Sequence, residues 1–110
     1  MIYKKDKLNF DGFNIDFLAK KFNTPTYCYS FKKLKENIIN FKKNFREINP
    51  LICFSVKSNS NIKILNEIKK LDLGADVVSI GELMKALKAG IKPKKIVFSG
   101  VGKTTSEIEY

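Results

Sequence analysis

The sequence predicts an α/β fold built around a parallel sheet, and three observations support this prediction. Apolar and β-branched segments of strand length occur at residues 51–56, 76–79 and 96–99. Each is followed, after only a few residues, by an amphipathic helical pattern or a helix start, which is the order of right-handed βα units. The segment 51–56 is almost continuously apolar, as expected for a parallel strand that is covered on both faces.

The first thirty residues predict one helix and one strand. Residues 13–22 have an amphipathic pattern, and Asn14 or Asp16 stands near its start, where a side-chain oxygen can accept hydrogen bonds from free backbone N–H groups. Pro25 ends any helix. The aromatic and β-branched residues at 26–29 then predict a strand.

The clearest helix begins after Ser30, a suitable N-cap residue. Its apolar residues recur at steps of three and four, and the pattern continues to residue 48, before Asn49 and Pro50 end it. This apolar stripe consists of Phe31, Leu34, Ile38, Phe41, Phe45 and Ile48.

Two shorter helices connect the predicted strands. Residues 64–71 predict a helix that Gly74 closes, which puts Asp76 at the start of the next strand, where an aspartate can serve simply to end a turn. Ser79 and Glu82 have the S-x-x-E spacing of a capping box, and the helix that they open is closed by Gly90. A second capping-box spacing, at residues 104 and 107, opens a last helix.

Length and composition indicate an ordinary globular protein. The chain has 110 residues, 44% hydrophobic and 29% charged, which suits one modest core. A complete (β/α)8 barrel needs about 250 residues, so a barrel would be present only in part. No apolar run approaches the roughly 18 residues of a membrane span, and no signal-peptide pattern is visible. Cys28 and Cys53 stand inside apolar runs and predict free thiols in a reducing cytoplasm.

The absence of histidine and the excess of lysine narrow the possible functions. Without histidine, this segment cannot supply a Ser-His-Asp triad, a Cys-His dyad or a His-based zinc site. The net charge of +10 suggests a nucleic-acid interface, but Arg46 is the only arginine and most lysines lie on polar helix faces. A solvated surface is the favoured interpretation, and a basic nucleic-acid-binding module is the alternative from another class.

Candidate reactive residues are expected at the carboxyl ends of the strands, where side chains of parallel strands share an opening. Lys57 directly follows an apolar strand, and partial desolvation there would favour an amine that forms a Schiff base. Position alone favours a simpler interpretation, a strand-end lysine whose amine reaches water. The segment Gly102-Lys103-Thr104 suggests a P-loop, but that motif requires glycine at position 97, where Val97 stands, so a short turn is favoured.

Four motifs together resemble one known family. They lie at residues 24–30, 54–61, 75–83 and 96–104. In order and spacing they resemble the amino-terminal part of the ornithine/diaminopimelate/arginine decarboxylases, which are fold-type III enzymes that use pyridoxal 5'-phosphate (PLP). The last motif favours the diaminopimelate branch of this family.

The resemblance implies a truncated PLP-binding (β/α)8 TIM barrel of the alanine-racemase-like type, with about three βα units in residues 30–110. Residues 1–29 would form an N-terminal helix and strand that pair with a carboxy-terminal β-domain. Lys57 matches the catalytic lysine that holds PLP, and this match outweighs the simpler interpretation of a solvated lysine. Asp76 matches an aspartate near the cofactor, and no metal is implied.

The activity that the resemblance implies is decarboxylation of meso-diaminopimelate, a small amino-acid substrate, to L-lysine and CO2. The full-length enzyme is expected to be a cytoplasmic homodimer that binds neither nucleic acid nor membrane. An ornithine- or arginine-type decarboxylase and a non-catalytic PLP-binding protein remain alternatives. Ser58 and Ile80 depart from the family's usual alanine and glycine. The family's phosphate loop would lie beyond Tyr110, so the 110-residue chain alone is expected to be inactive.

Overall fold

The computed structural model describes every residue of the chain and divides into two compact units, Met1–Glu36 and Asn37–Tyr110. Each unit has its own sheet, and the two sheets differ in strand direction. None of the helices has the length and apolar character that crossing a membrane requires.

The first unit opens with a three-stranded antiparallel sheet that the sequence analysis does not predict. Its strands are β1 (Ile2–Lys4), β2 (Lys7–Phe10) and β3 (Phe13–Asn14). The turns between them use positive φ angles, at Lys5 (48°), Asp6 (58°), Asp11 (54°) and Gly12 (91°). Two-residue turns of this geometry match the twist of a hairpin. The strands are too short to display the period-two alternation from which a strand is predicted.

Helix α1 (Ile15–Phe22) begins at an N-cap residue that the sequence predicts. The side chain of Asn14 accepts hydrogen bonds from the backbone N–H groups of Asp16, at 2.7 Å, and Phe17, at 3.2 Å. The helix starts later than the amphipathic pattern because residues 13–14 pair with β2.

The strand predicted at residues 26–29 stays a prediction, because its expected partner is a carboxy-terminal β-domain. These residues pair with no strand of the chain. Their aromatic and β-branched side chains suit a sheet, but a strand also needs a hydrogen-bonded neighbour, which intrinsic propensity does not supply. Tyr27 and Tyr29 are both exposed.

Helix α2 (Phe31–Asn44) has the predicted start and an earlier end. The hydroxyl oxygen of Ser30 accepts a hydrogen bond from the backbone N–H of Lys33 at 3.0 Å, as expected of an N-cap. Residues 45–48, which belong to the predicted apolar stripe, form turns after the helix. No residue of α2 is fully buried.

The second unit contains the predicted parallel sheet. Its strands are β4 (Cys53–Ser55), β5 (Gly74–Val77) and β6 (Ile96–Phe98), in that spatial order. The helices that follow them are α3 (Ile62–Lys70), α4 (Ile80–Lys88) and α5 (Thr105–Glu109). This alternation confirms the α/β prediction. The core includes Val56, Ile64, Leu65, Ile68, Ala75, Val77 and Ala86, all of which are buried.

The helices cover one face of the parallel sheet. Ala75 and Val77 of β5 are fully buried, and because side chains alternate along a strand, Asp76 points to the opposite face. On that face Ser55 and Asp76 are half-buried, and Val97 is 47% exposed. Strand β4 is half-buried along its whole length, and its coverage on both faces stays a prediction.

Gly74 is the first residue of β5, and the prediction that it closes the preceding helix is wrong. Helix α3 ends at Lys70, and Asp72 adopts the left-handed conformation after it, with φ of 58°. A Cβ atom at Gly74 would overlap the backbone oxygen of Lys95 and lie 2.8 Å from the sulfur of Cys53. Only glycine lets β5 lie this close to both of its neighbours.

An ion pair supports the chain reversal between α3 and β5. Lys95 Nζ lies 2.5 Å from Asp72 Oδ1, and Lys42 Nζ donates a hydrogen bond of 2.5 Å to the carbonyl oxygen of Leu71. The hydrogen bond and the positive charge of Lys95 lower the pKa of Asp72. Because folding lowers this pKa, the pair stabilises the fold above about pH 4, and its contribution is lost as the pH falls through the lowered value.

Helix α4 begins at the predicted N-cap residue with one difference in the capping box. The hydroxyl oxygen of Ser79 accepts a hydrogen bond from the backbone N–H of Glu82 at 3.3 Å. The Glu82 carboxylate accepts from the backbone N–H of Val78, at 2.9 Å, and not from that of Ser79. Gly90 follows the helix with φ of 80°, as predicted. Helix α5 has a complete capping box at its predicted start.

Substitution of Gly74 by alanine is expected to lower the free energy of unfolding by about 1–3 kcal/mol, because the added methyl group meets backbone that cannot move aside. Urea denaturation followed by circular dichroism measures this loss. Gly81→Ala is the matched control, since a Cβ at Gly81 meets no atom within 4 Å and alanine favours a helix. Equal stability of the two variants would contradict the close approach at Gly74.

Candidate functional site

The carboxyl ends of β4, β5 and β6 border an open cavity of about 550 Å³. Each strand contributes the residues that follow it. Lys57 comes after β4, Val78 and Ser79 after β5, and residues 99–103 after β6, while Glu107 reaches the cavity from α5. This is the edge at which the sequence analysis expects reactive side chains.

Lys57 lies in a single 3-10 turn, Val56–Ser58, directly after β4. The fully buried side chain of Val56 anchors the turn, and the Ser58 hydroxyl donates a hydrogen bond of 2.7 Å to the carbonyl oxygen of Ser55. Lys57 itself is exposed and forms no ion pair or side-chain hydrogen bond within the chain. The Lys57 side chain is therefore not partly desolvated within this chain, contrary to the expectation from the sequence. Its position beside the cavity is the expected one.

Asp76 stands near the carboxyl end of β5, so the prediction that it starts a strand is wrong. The error follows from Gly74, which begins the strand and does not end the helix before it. Asp76 pairs in register with Ser55 of β4 and Val97 of β6. Its Oδ1 atom accepts a hydrogen bond of 2.5 Å from the Ser99 hydroxyl, and Ser99 lines the cavity.

The segment after β6, where the sequence favours a short turn over a P-loop, has a defined conformation in the structure. Lys103 Nζ donates a hydrogen bond of 2.5 Å to the carbonyl oxygen of Gly100 and lies 5.0 Å from the centre of the Phe98 ring. A Cβ atom at Gly100 would overlap the carbonyl oxygen of Val78. In the sequence, the only indication that Ser99 belongs to the site is its place at the end of an apolar segment.

Two carboxylates contribute negative charge to this edge of the sheet. Burial, and secondly the charge of Asp76, raise the pKa of the Cys53 thiol, so the charge of Asp76 extends along the face that the helices leave uncovered. Glu107 accepts hydrogen bonds from the backbone N–H and the hydroxyl of Thr104, at 2.8 and 3.0 Å, and these bonds lower the pKa of Glu107.

The fold and the site define an α/β protein with a free lysine at the ligand-binding edge of a parallel sheet. A family model described as "Pyridoxal-dependent decarboxylase, pyridoxal binding domain" matches residues 31–110. Because this match covers most of the chain, the chain belongs to the pyridoxal-dependent decarboxylase family.

Several relatives of this chain are named diaminopimelate decarboxylase. The diaminopimelate decarboxylase of Helicobacter pylori is 53% identical over 97 residues, which are 88% of this chain and 24% of that protein. Its crystal structure complexed with L-lysine matches with a TM-score of 0.82 and 51% identity, over 87% of this chain and 24% of that one. The diaminopimelate decarboxylase of M. jannaschii gives a TM-score of 0.92 and 36% identity, over 96% and 26%. The chain thus spans about a quarter of the length of the curated relatives it matches.

Replacement of Asp76 by asparagine is expected to lower the pKa of the Cys53 thiol, because it removes a negative charge that opposes thiolate formation. Burial still holds this pKa above the ordinary value. The pH dependence of alkylation by iodoacetamide, in a Cys28→Ser background, should shift to lower pH. Glu82→Gln, which removes a carboxylate that does not act on Cys53, should leave the profile in place. An unchanged profile in Asp76→Asn would refute the coupling.

Proposed function

We propose that this chain is the cofactor-binding part of a PLP-dependent decarboxylase that converts meso-diaminopimelate into L-lysine and CO2. The observation that carries the proposal is the free amine of Lys57 at the carboxyl edge of the parallel sheet, in a chain of this family. The names of the relatives support the choice of substrate, and one relative was crystallised with L-lysine.

The residues at the cavity fit the aldehyde end of PLP. An aldehyde requires an amine that it can reach, and Lys57 is exposed with no competing ion pair. The cavity volume of about 550 Å³ lies within the range of roughly 300–1,000 Å³ that small-molecule sites occupy. The carboxylate of Asp76 stands at the same edge of the sheet and supplies a negative charge for a cationic nitrogen.

In the proposed reaction, Lys57 would hold the cofactor through Nζ and would be free again once the substrate amine is bound. The free Nζ atom can then hold or deliver a proton at the reacting carbon. The Asp76 carboxylate stabilises the protonated form of a nitrogen placed against it. PLP, when bound, supplies an electron sink for the electron pair that remains when the carboxylate leaves as CO2. A proton takes the place of the lost carboxylate, so that diaminopimelate yields lysine.

The proposal extends to the architecture of the whole protein. The strands β4, β5 and β6 are the first three of a (β/α)8 barrel that includes residues 30–110, and their parallel, sequential order supports this assignment. Residues 1–29 serve a separate carboxy-terminal β-domain. The whole enzyme is a homodimer in the cytoplasm, where the free thiols of Cys28 and Cys53 remain reduced. Its lysines are solvated and bind no nucleic acid.

Borohydride treatment of the complete protein, loaded with PLP, is expected to attach a pyridoxyl group to Lys57, because reduction makes the bond between lysine and cofactor permanent. Peptide mapping by mass spectrometry locates the group. Lys57→Ala should lose it, and Lys63→Ala, which removes an exposed lysine of α3, should retain it. A pyridoxyl group on another lysine of the parent protein would disprove the assignment.

The complete protein is expected to release CO2 from meso-diaminopimelate with a kcat/KM at least about 100-fold higher than from ornithine or arginine, since a site built for one set of polar groups leaves them unpaired with another substrate. Trapped CO2 and L-lysine are measured together, and Lys57→Ala should produce neither. Preferential turnover of ornithine or arginine would reassign the substrate. Labelling of Lys57 by PLP without turnover of any of the three would indicate a non-catalytic PLP-binding protein.

A further inference from the structure

We propose that Ser99 is a positioning residue that fixes the carboxylate of Asp76 and thereby supports capture of the cofactor at Lys57. The inference rests on the proposed function, in which Asp76 stands beside the cofactor. It adds a residue that the sequence motifs leave without a role.

The contact between the two side chains is direct. The Ser99 hydroxyl donates a hydrogen bond of 2.5 Å to Asp76 Oδ1, and this is the only side-chain partner of Asp76. Hydrogen bonds to an ionised carboxylate are shorter and stronger than those between neutral groups. One carboxylate oxygen of Asp76 is therefore held by a hydroxyl that lines the cavity, and Oδ2 makes no hydrogen bond within the chain.

The backbone around Ser99 is itself held in place. The Ser99 N–H continues the ladder beyond β6 by donating a hydrogen bond of 3.0 Å to the carbonyl oxygen of Val77. The next residue, Gly100, lies so close to β5 that a Cβ atom there would overlap the carbonyl oxygen of Val78 and lie 2.8 Å from the Phe98 ring. The turn that presents the hydroxyl is thus packed against the neighbouring strand.

Lys103 stabilises the other side of the turn that follows β6. Its Nζ atom donates to the carbonyl oxygen of Gly100 at 2.5 Å and lies over the Phe98 ring. Ser99 is exposed, and an exposed serine hydroxyl usually rotates freely. Here a fixed backbone places the hydroxyl against one oxygen of Asp76, which is what positioning of a carboxylate requires.

A purely structural role makes a different prediction. Suppose that the hydrogen bond between Ser99 and Asp76 only joined β5 to β6. Its loss would then lower the stability of the protein, and cofactor binding would weaken only as much as in any variant of equal stability. If it positions Asp76, its loss weakens binding only while position 76 carries a carboxylate. A double-mutant cycle separates these two roles.

The experiment measures the dissociation constant of PLP from the complete protein by absorbance titration, in Ser99→Ala, Ser99→Thr, Asp76→Asn and the double variant Ser99→Ala/Asp76→Asn. Ser99→Ala is expected to weaken PLP binding about tenfold, the usual effect of losing one hydrogen bond to a charged group. Ser99→Thr keeps the hydroxyl and should stay within about twofold of the parent. In the Asp76→Asn background, Ser99→Ala should change the constant by less than about twofold.

The matched control is Ser60→Ala. The Ser60 hydroxyl also has one charged partner, since it accepts a hydrogen bond of 2.8 Å from Lys85 Nζ, but it lies outside the cavity. Thermal unfolding without PLP should change similarly in Ser60→Ala and Ser99→Ala, and PLP binding should weaken only in Ser99→Ala.

Two failures are distinguishable. If the parent protein carries no PLP on Lys57, the proposed function fails and this inference fails with it. If the parent carries PLP on Lys57 but Ser99→Ala binds it as tightly, or loses the same factor in the Asp76→Asn background, the positioning role alone is overturned.

Discussion

The close approach of Gly74 in β5 to Cys53 in β4 and to Lys95, the residue before β6, sets the geometry of the parallel sheet. The backbone of Gly74 lies so close to Lys95 on one side and Cys53 on the other that no side chain fits. This approach fixes the register, so that Ser55 and Asp76 align at the opposite end of their strands. A slip of one residue would turn Asp76 toward the helices. The alignment of residues at the proposed site therefore depends on a glycine at the other end of the sheet.

Alternate residues of strand β5 face the core and the proposed site. Ala75 and Val77 face the helices and are fully buried, and Asp76, between them, faces the open side and holds its partner Ser99. Period-two alternation keeps these roles apart even though the strand has only four residues. Changes in the core next to β5 can therefore reach Asp76 through the backbone of this strand, whose position both neighbours fix.

The features that the sequence predicts correctly in the second unit depend on local signals. The cap at Ser79, the order of strands and helices and the position of Lys57 at the edge of the sheet all follow from patterns within a few residues. The sequence-based prediction places Asp76 wrongly because a glycine that follows a helix usually ends that helix. Here Asp72 takes the left-handed conformation after the helix, and Gly74 enters the sheet. The bond between Ser99 and Asp76 joins two strands, and no pattern within one strand contains it.

The location of Lys57 in a turn separates the chemistry of the chain from its architecture. The backbone of the turn is closed by its own hydrogen bonds, and the lysine side chain contributes no contact to the ladder or to the core. A variant with a different residue at position 57 would keep the same sheet and lose the amine that we propose to bind the cofactor. Loss of the proposed reaction would therefore leave the shape of the chain intact.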